Sequence, residues 1–63
     1  MPFGENLKSL REAKEITQQQ MADKLSMTRQ AYAKYEQGKR EPNFSTLRVI
    51  KNILNCSYDD LLK

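Results

Sequence analysis

The chain has 63 residues, with 11 Lys and Arg against 8 Asp and Glu (net +3), one cysteine and no histidine. One domain, residues 1–63, fills that length. The lone thiol excludes an internal disulfide, and the missing histidine excludes a Cys/His zinc site and the serine-protease, papain-like and histidine-based metalloenzyme mechanisms, so no metal, cofactor or enzyme activity is expected.

In chain order, the first apolar stripe is Phe3, Leu7, Leu10 and Ala13, with Glu5, Lys8, Glu12 and Glu15 largely outside it. At Ile16-Thr17 a cap residue is followed three positions on by Gln20 and four on by Met21, a capping box with a hydrophobic staple. The staple spacing returns at Met27-Thr28 with Tyr32, at Phe44-Ser45 with Val49 and at Cys56-Ser57 with Leu61, where Asp60 also completes a box. These starts predict helices near 3–14, 18–25, 29–36, 46–54 and 58–62. Gly38 suits the end of the third, Pro42 enforces a break before the fourth, and Asn55 can end the fourth in the left-handed region. Leu7, Leu10, Leu25, Leu47, Ile50, Ile53, Leu54 and Leu61 are expected in the core, with Cys56 a small buried hydrophobe.

The second and third helices are joined only by Ser26-Met27-Thr28, which forces a sharp crossing and needs small contacts, supplied by Ala22 and Ala31. Surplus charge is confined to the same region. Between Thr17 and Arg40 five basic residues (Lys24, Arg29, Lys34, Lys39, Arg40) face two acids (Asp23, Glu36), while the flanks cancel. No apolar run approaches the roughly 18 residues of a membrane span, no signal peptide is present, and the free thiol fits a reducing compartment, so a cytoplasmic location is expected.

The run Thr17 to Pro42, ending Lys34-Tyr35-Glu36-Gln37-Gly38-Lys39-Arg40-Glu41-Pro42, resembles the signature of Cro/C1-type (xenobiotic-response-element) helix-turn-helix domains. Leu7 to Arg11 ahead of it and Leu47 to Leu62 behind it resemble the outer helices of that family, so the likeness covers nearly the whole chain. It implies an all-α, compact five-helix lambda-repressor-like fold, sequence-specific binding to double-stranded DNA, usually as a dimer, and transcriptional control. The family very often has glycine where this chain has Glu15 and Ser26. If both backbones are left-handed, the strain is roughly 1–2 kcal/mol per site.

In that docking geometry the third helix lies in the major groove with its N-terminal residues at the base edges. Thr28, Arg29 and Gln30 open it and Lys34 follows one turn on; Arg suits guanine O6 and N7, Gln suits adenine N6 and N7, and Lys suits guanine acceptors. Ala33 is expected on the outward arc beside Lys34, either touching a thymine methyl or making room for the groove wall. Phosphate contacts are expected from Gln18, at the start of the second helix, and from Lys39, Arg40 and Asn43 in the following loop. Tyr32 and Tyr35 are expected with rings inward and hydroxyls reaching a phosphate or the Glu36 region. The resemblance further implies an Arg11–Glu36 ion pair between the first and third helices.

The expected function is a minimal regulator, a repressor binding a palindromic operator as a homodimer, with Phe44 and Tyr58 as contact residues. The chain ends at Lys63 directly after this module, so regulation is expected from concentration, dimer dissociation or a partner protein. The rival is an antitoxin or other partner-bound protein with autoregulatory DNA binding, in which Tyr58, Leu62 and Phe44 meet a non-identical partner. Asp59 and Asp60 are adjacent and do not converge, which leaves an enzyme without an acid pair.

Overall fold

Each of the last four helices begins where a short polar side chain accepts from the backbone three residues on. The protein, seen as a computed structural model that describes residues 2–63, has α1 (Pro2–Ala13), α2 (Gln18–Lys24), α3 (Arg29–Glu36), α4 (Phe44–Leu54) and α5 (Tyr58–Leu62). Thr17 Oγ1 accepts from Gln20 N at 3.0 Å, and Gln20 Oε1 accepts from Thr17 N at 2.8 Å. Ser57 and Asp60 form the same reciprocal box before α5, and Thr28 Oγ1 accepts from Ala31 N at 3.1 Å before α3.

The start of α4 differs from the sequence reading. The cap is Asn43, whose Oδ1 accepts from Thr46 N at 2.8 Å, so Phe44 is the first helical residue and Ser45 lies inside the helix. The staple positions become Pro42 and Leu47, while Phe44 and Val49 stand 67% and 42% exposed and do not pair as a staple.

The first four helices end alike. Glu15, Ser26, Gly38 and Asn55 all have left-handed φ (58°, 58°, 76° and 51°). The following N–H then reaches back five residues: Ile16 to Arg11 O, Met27 to Ala22 O, Lys39 to Lys34 O and Cys56 to Lys51 O. Ile16, Met27 and Cys56 also pack on the core, so one side chain closes a helix and anchors the next. Glu15 and Ser26 carry the strain of a Cβ in this region. Ser26→Gly is therefore expected to stabilise by about 0.5–1 kcal/mol, the relief of strain exceeding the added unfolded-chain entropy. Urea midpoints check this; a midpoint that falls or stays put contradicts a strained Ser26.

Leu7, Met21, Tyr32, Ile50, Leu54 and Leu61 are the fully buried centre. Leu10, Leu25, Leu47 and Ile53, expected inside, are partly buried at its margin, as is Cys56. The α1 helix packs on both α3 and α5, and α2 packs on α3. Asn6 Nδ2 ties α1 to the end of α5, donating to Leu61 O (3.0 Å) and Lys63 O (3.1 Å), carbonyls that the short helix leaves without an internal partner. Among the described residues, no helix is long and apolar enough to cross a membrane.

Candidate nucleic-acid interface

With Tyr32 and Tyr35 buried on its inner side, α3 turns Arg29, Gln30 and Lys34 outward, all exposed. No hydrogen bond or ion pair engages these three side chains among the described residues. Thr28 sits at the near end with its oxygen used as the cap acceptor. Ala33, expected on the outward arc beside Lys34, is largely buried at 9% exposure and stands on the helical wheel between Arg29 and Gln30, at the margin of this face.

Lys39 and Arg40 are exposed just beyond α3, and the Arg40 guanidinium lies 5.8 Å from the Tyr35 ring centroid, a cation–π contact that holds its head group in place. Asn43 has its oxygen committed to the α4 cap, so any phosphate contact falls to its Nδ2 edge.

Glu36, the last residue of α3, is enclosed. Its side chain is 3% exposed and accepts from Arg11 Nε (2.6 Å) and Nη2 (3.2 Å), from Tyr32 Oη (2.5 Å) and from Gln18 Nε2 (3.0 Å). Arg11 Nη1 donates to Ile16 O at 2.7 Å. Burial alone would push the Glu36 carboxyl up, but the donors from Arg11, Tyr32 and Gln18 outweigh it and hold the carboxyl below its ordinary value. Hydrogen bonding to Glu36 raises Arg11, and burial followed by the bond to Glu36 raises Tyr32, which stays a neutral donor. One carboxylate thus joins α1, α2 and α3, and its charge is neutralised inside the protein rather than directed at a ligand. Gln18 is half-buried and spends one N–H on this cluster, leaving its second for a contact outside.

Gly4 is a residue that the sequence reading passed over. A Cβ there would overlap the carbonyl oxygen of Glu36 and lie 2.9 Å from that of Tyr35. The spacing of Gly4, Leu7 and Arg11 (i, i+3, i+7) was the available signal, because it puts the glycine on the same stripe as the arginine that meets Glu36.

At the other end of the module Phe44 and Tyr58 stack on one another, centroids 6.1 Å apart and planes 27° apart, with Lys51 Nζ 5.3 Å from the Tyr58 centroid. Phe44 nevertheless remains mostly exposed, as does Leu62 at 51%. Asp60 is the reciprocal cap acceptor for Ser57 N, and no cluster of three or more metal-binding side chains occurs among the described residues.

A family model described as helix-turn-helix matches residues 7–61. The chain is 59% identical over 61 residues to the uncharacterized HTH-type transcriptional regulator YqaE of Bacillus subtilis, covering 97% of this chain and 53% of that protein. It is 56% identical over 61 residues to the SPbeta prophage-derived uncharacterized HTH-type transcriptional regulator YonR, also of Bacillus subtilis, covering 97% and 56%. It is 40% identical over 62 residues to the HTH-type transcriptional activator BcrR of Enterococcus faecalis, covering 98% and 30%. The chain spans about half the length of the first two of these relatives. No solved structure matches it.

Proposed function

The chain belongs to the helix-turn-helix family, and from that premise we propose that it is a sequence-specific, double-stranded-DNA-binding transcriptional regulator of the Cro/C1 type, a repressor acting as a homodimer on a palindromic operator. The observation that carries this reading is the row of Arg29, Gln30 and Lys34, exposed on α3 and unengaged, on a helix whose only acid is neutralised from behind by Arg11. Guanidinium and carboxamide at the start of α3, with an ammonium one turn on, match the donor and acceptor edges of the major groove, and removing the carboxylate from that face removes its repulsion of phosphate.

In this reading Thr28, Arg29, Gln30 and Lys34 read bases, while Lys39, Arg40, Asn43 and the second N–H of Gln18 contact phosphate. Size supports the dimer. The chain measures 26 × 23 × 20 Å, shorter in every direction than the ~34 Å between major-groove faces one helical turn apart. One α3 spans only a few base pairs, too few to single out an operator, and a two-fold pair supplies the second half-site.

Selection of bound duplexes from a random pool tests the whole reading, and two variants then sort the contacts. Arg29→Ala is expected to lose about 1–3 kcal/mol on the selected site and relax preference at one base pair. Lys39→Ala or Arg40→Ala is expected to weaken selected and random DNA alike and flatten the slope of log affinity against log salt by up to roughly one unit. Equal loss from Arg29→Ala on random DNA would move that residue to the phosphate group. A pool without enrichment would overturn sequence-specific binding. A promoter reporter decides the direction of control, increased expression on adding the protein being the result against repression.

A further inference from the structure

We propose that Tyr35 is a positioning residue for DNA binding: its ring, held in the core, presents the Arg40 guanidinium to a backbone phosphate as an aimed donor rather than a mobile charge. This rests on DNA binding with Arg40 on phosphate and adds the residue that aims it.

Three features at the end of α3 converge on that role. The first is the turn. Gly38 takes a left-handed φ of 76°, Gly38 N donates to Tyr35 O at 3.3 Å and Lys39 N donates to Lys34 O at 3.0 Å. The chain doubles back on leaving the helix. Arg40 therefore returns over the ring five residues before it, its guanidinium carbon 5.8 Å from the Tyr35 centroid. That lies within the roughly 6 Å reach of a cation–π attraction. The second feature is the platform. Tyr35 is 3% exposed and meets the fully buried Tyr32 edge to face, centroids 6.2 Å apart and planes at 90°. Tyr32 is itself tied through its hydroxyl to Glu36. A ring packed in this way keeps one orientation, so it holds the guanidinium instead of moving with it.

The third feature is the chemistry of the guanidinium. Its planar face suits an aromatic ring while its five N–H donors lie in the plane, so face and edge can be used at once. No hydrogen bond or ion pair engages Arg40 among the described residues. That edge is left for phosphate oxygens, which arginine can grip with two parallel bonds. Immobilising a long side chain on binding costs conformational entropy, and here the ring has already restricted it. Lys39, equally exposed, has no ring beneath it among the described residues and supplies charge without direction. The neighbouring Glu36 works in parallel with Tyr35, accepting from Gln18 Nε2 at 3.0 Å. Two consecutive inward residues of α3 each hold one of the side chains directed at phosphate.

Side-chain NMR of the free protein and a double-mutant cycle on the selected operator test this. In the free protein the Arg40 Nε–H order parameter is expected to exceed that of Arg29, which is exposed and unengaged. Tyr35→Phe should keep it high, and Tyr35→Leu should lower it to the Arg29 level. On the operator, Tyr35→Leu should weaken binding about 2–5-fold, the equivalent of a cation–π contact at an exposed site. The same change made in Arg40→Ala should leave affinity where Arg40→Ala alone puts it, and Tyr35→Phe should bind as wild type. A Tyr35 that only supports the fold would lower affinity equally with and without Arg40. Equal losses in the two backgrounds, or no loss in either, would overturn the proposal and leave DNA binding standing. A loss in Tyr35→Phe as large as in Tyr35→Leu would do the same, because it would put the hydroxyl itself on DNA. Where Tyr35→Leu fails to fold, the free protein decides: Arg40 more ordered than Arg29 in wild type and in Tyr35→Phe supports the proposal, and equal mobility overturns it. Wild-type protein that binds no duplex would overturn the DNA-binding reading and this one together.

Discussion

Arg11→Met is expected to leave the protein largely unfolded at room temperature. Removing one partner of a buried ion pair costs about 3–5 kcal/mol, because the other charge stays buried without compensation. A domain of this size has stability of about the same magnitude. In the variant Glu36 keeps its bonds from Tyr32 and Gln18 but loses both charged donors and the only cation within the cluster. Glu36→Gln tests the pair from the other side and adds a pH signature. An ordinary glutamate titrates near 4.3 when unfolded, and Glu36 titrates below its ordinary value when folded. The stabilisation is therefore present above about pH 4.3 and is lost as pH falls through the lower folded value. Wild type should lose stability across that acid range, and the part due to Glu36 should be missing in Glu36→Gln. Urea unfolding at a series of pH values checks both. A loss below about 1 kcal/mol in Arg11→Met would mean that the pair behaves as a surface salt bridge.

Gly4→Ala is expected to destabilise by about 2 kcal/mol, against the sign of helix propensity. Alanine in place of glycine inside a helix ordinarily gains about 1 kcal/mol. Here the added methyl meets two backbone carbonyls, Glu36 and Tyr35, and neither can rotate away as a side chain would. The remedy is to move α1 from the end of α3, which loosens the packing around Leu7 and costs about 1–3 kcal/mol beyond the lost propensity gain. Because the same movement strains the Arg11–Glu36 bonds, the melting midpoint and affinity for the selected operator should fall together. A raised midpoint would show that α1 does not approach α3 so closely.

The sequence by itself determined the helix count and most of the boundaries. A cap and its box are bonds between residues three apart, so Thr17 with Gln20 and Ser57 with Asp60 can be seen in the chain before it folds. The left-handed ends at Gly38 and Asn55 are equally local, since they depend on the residue's own Cβ or on a short polar side chain. The exposed row Arg29, Gln30, Lys34 follows from spacing alone once the inner face of α3 is known. Tertiary structure decided what depends on a second helix. Ala33 stands on the helical wheel between the exposed Arg29 and Gln30, so its 9% exposure is set by the helices packed against α3 and not by spacing. The spacing reads Ser45 as the cap of α4, whereas the structure caps it with Asn43 and brings Pro42 and Leu47 to one hollow. The stack of Phe44 on Tyr58, the closure of α5 by Asn6 and the approach of Gly4 to Glu36 join residues 14, 55 and 32 positions apart. Contacts at such separations leave no periodic trace in the sequence, because either partner alone satisfies the local rules equally well.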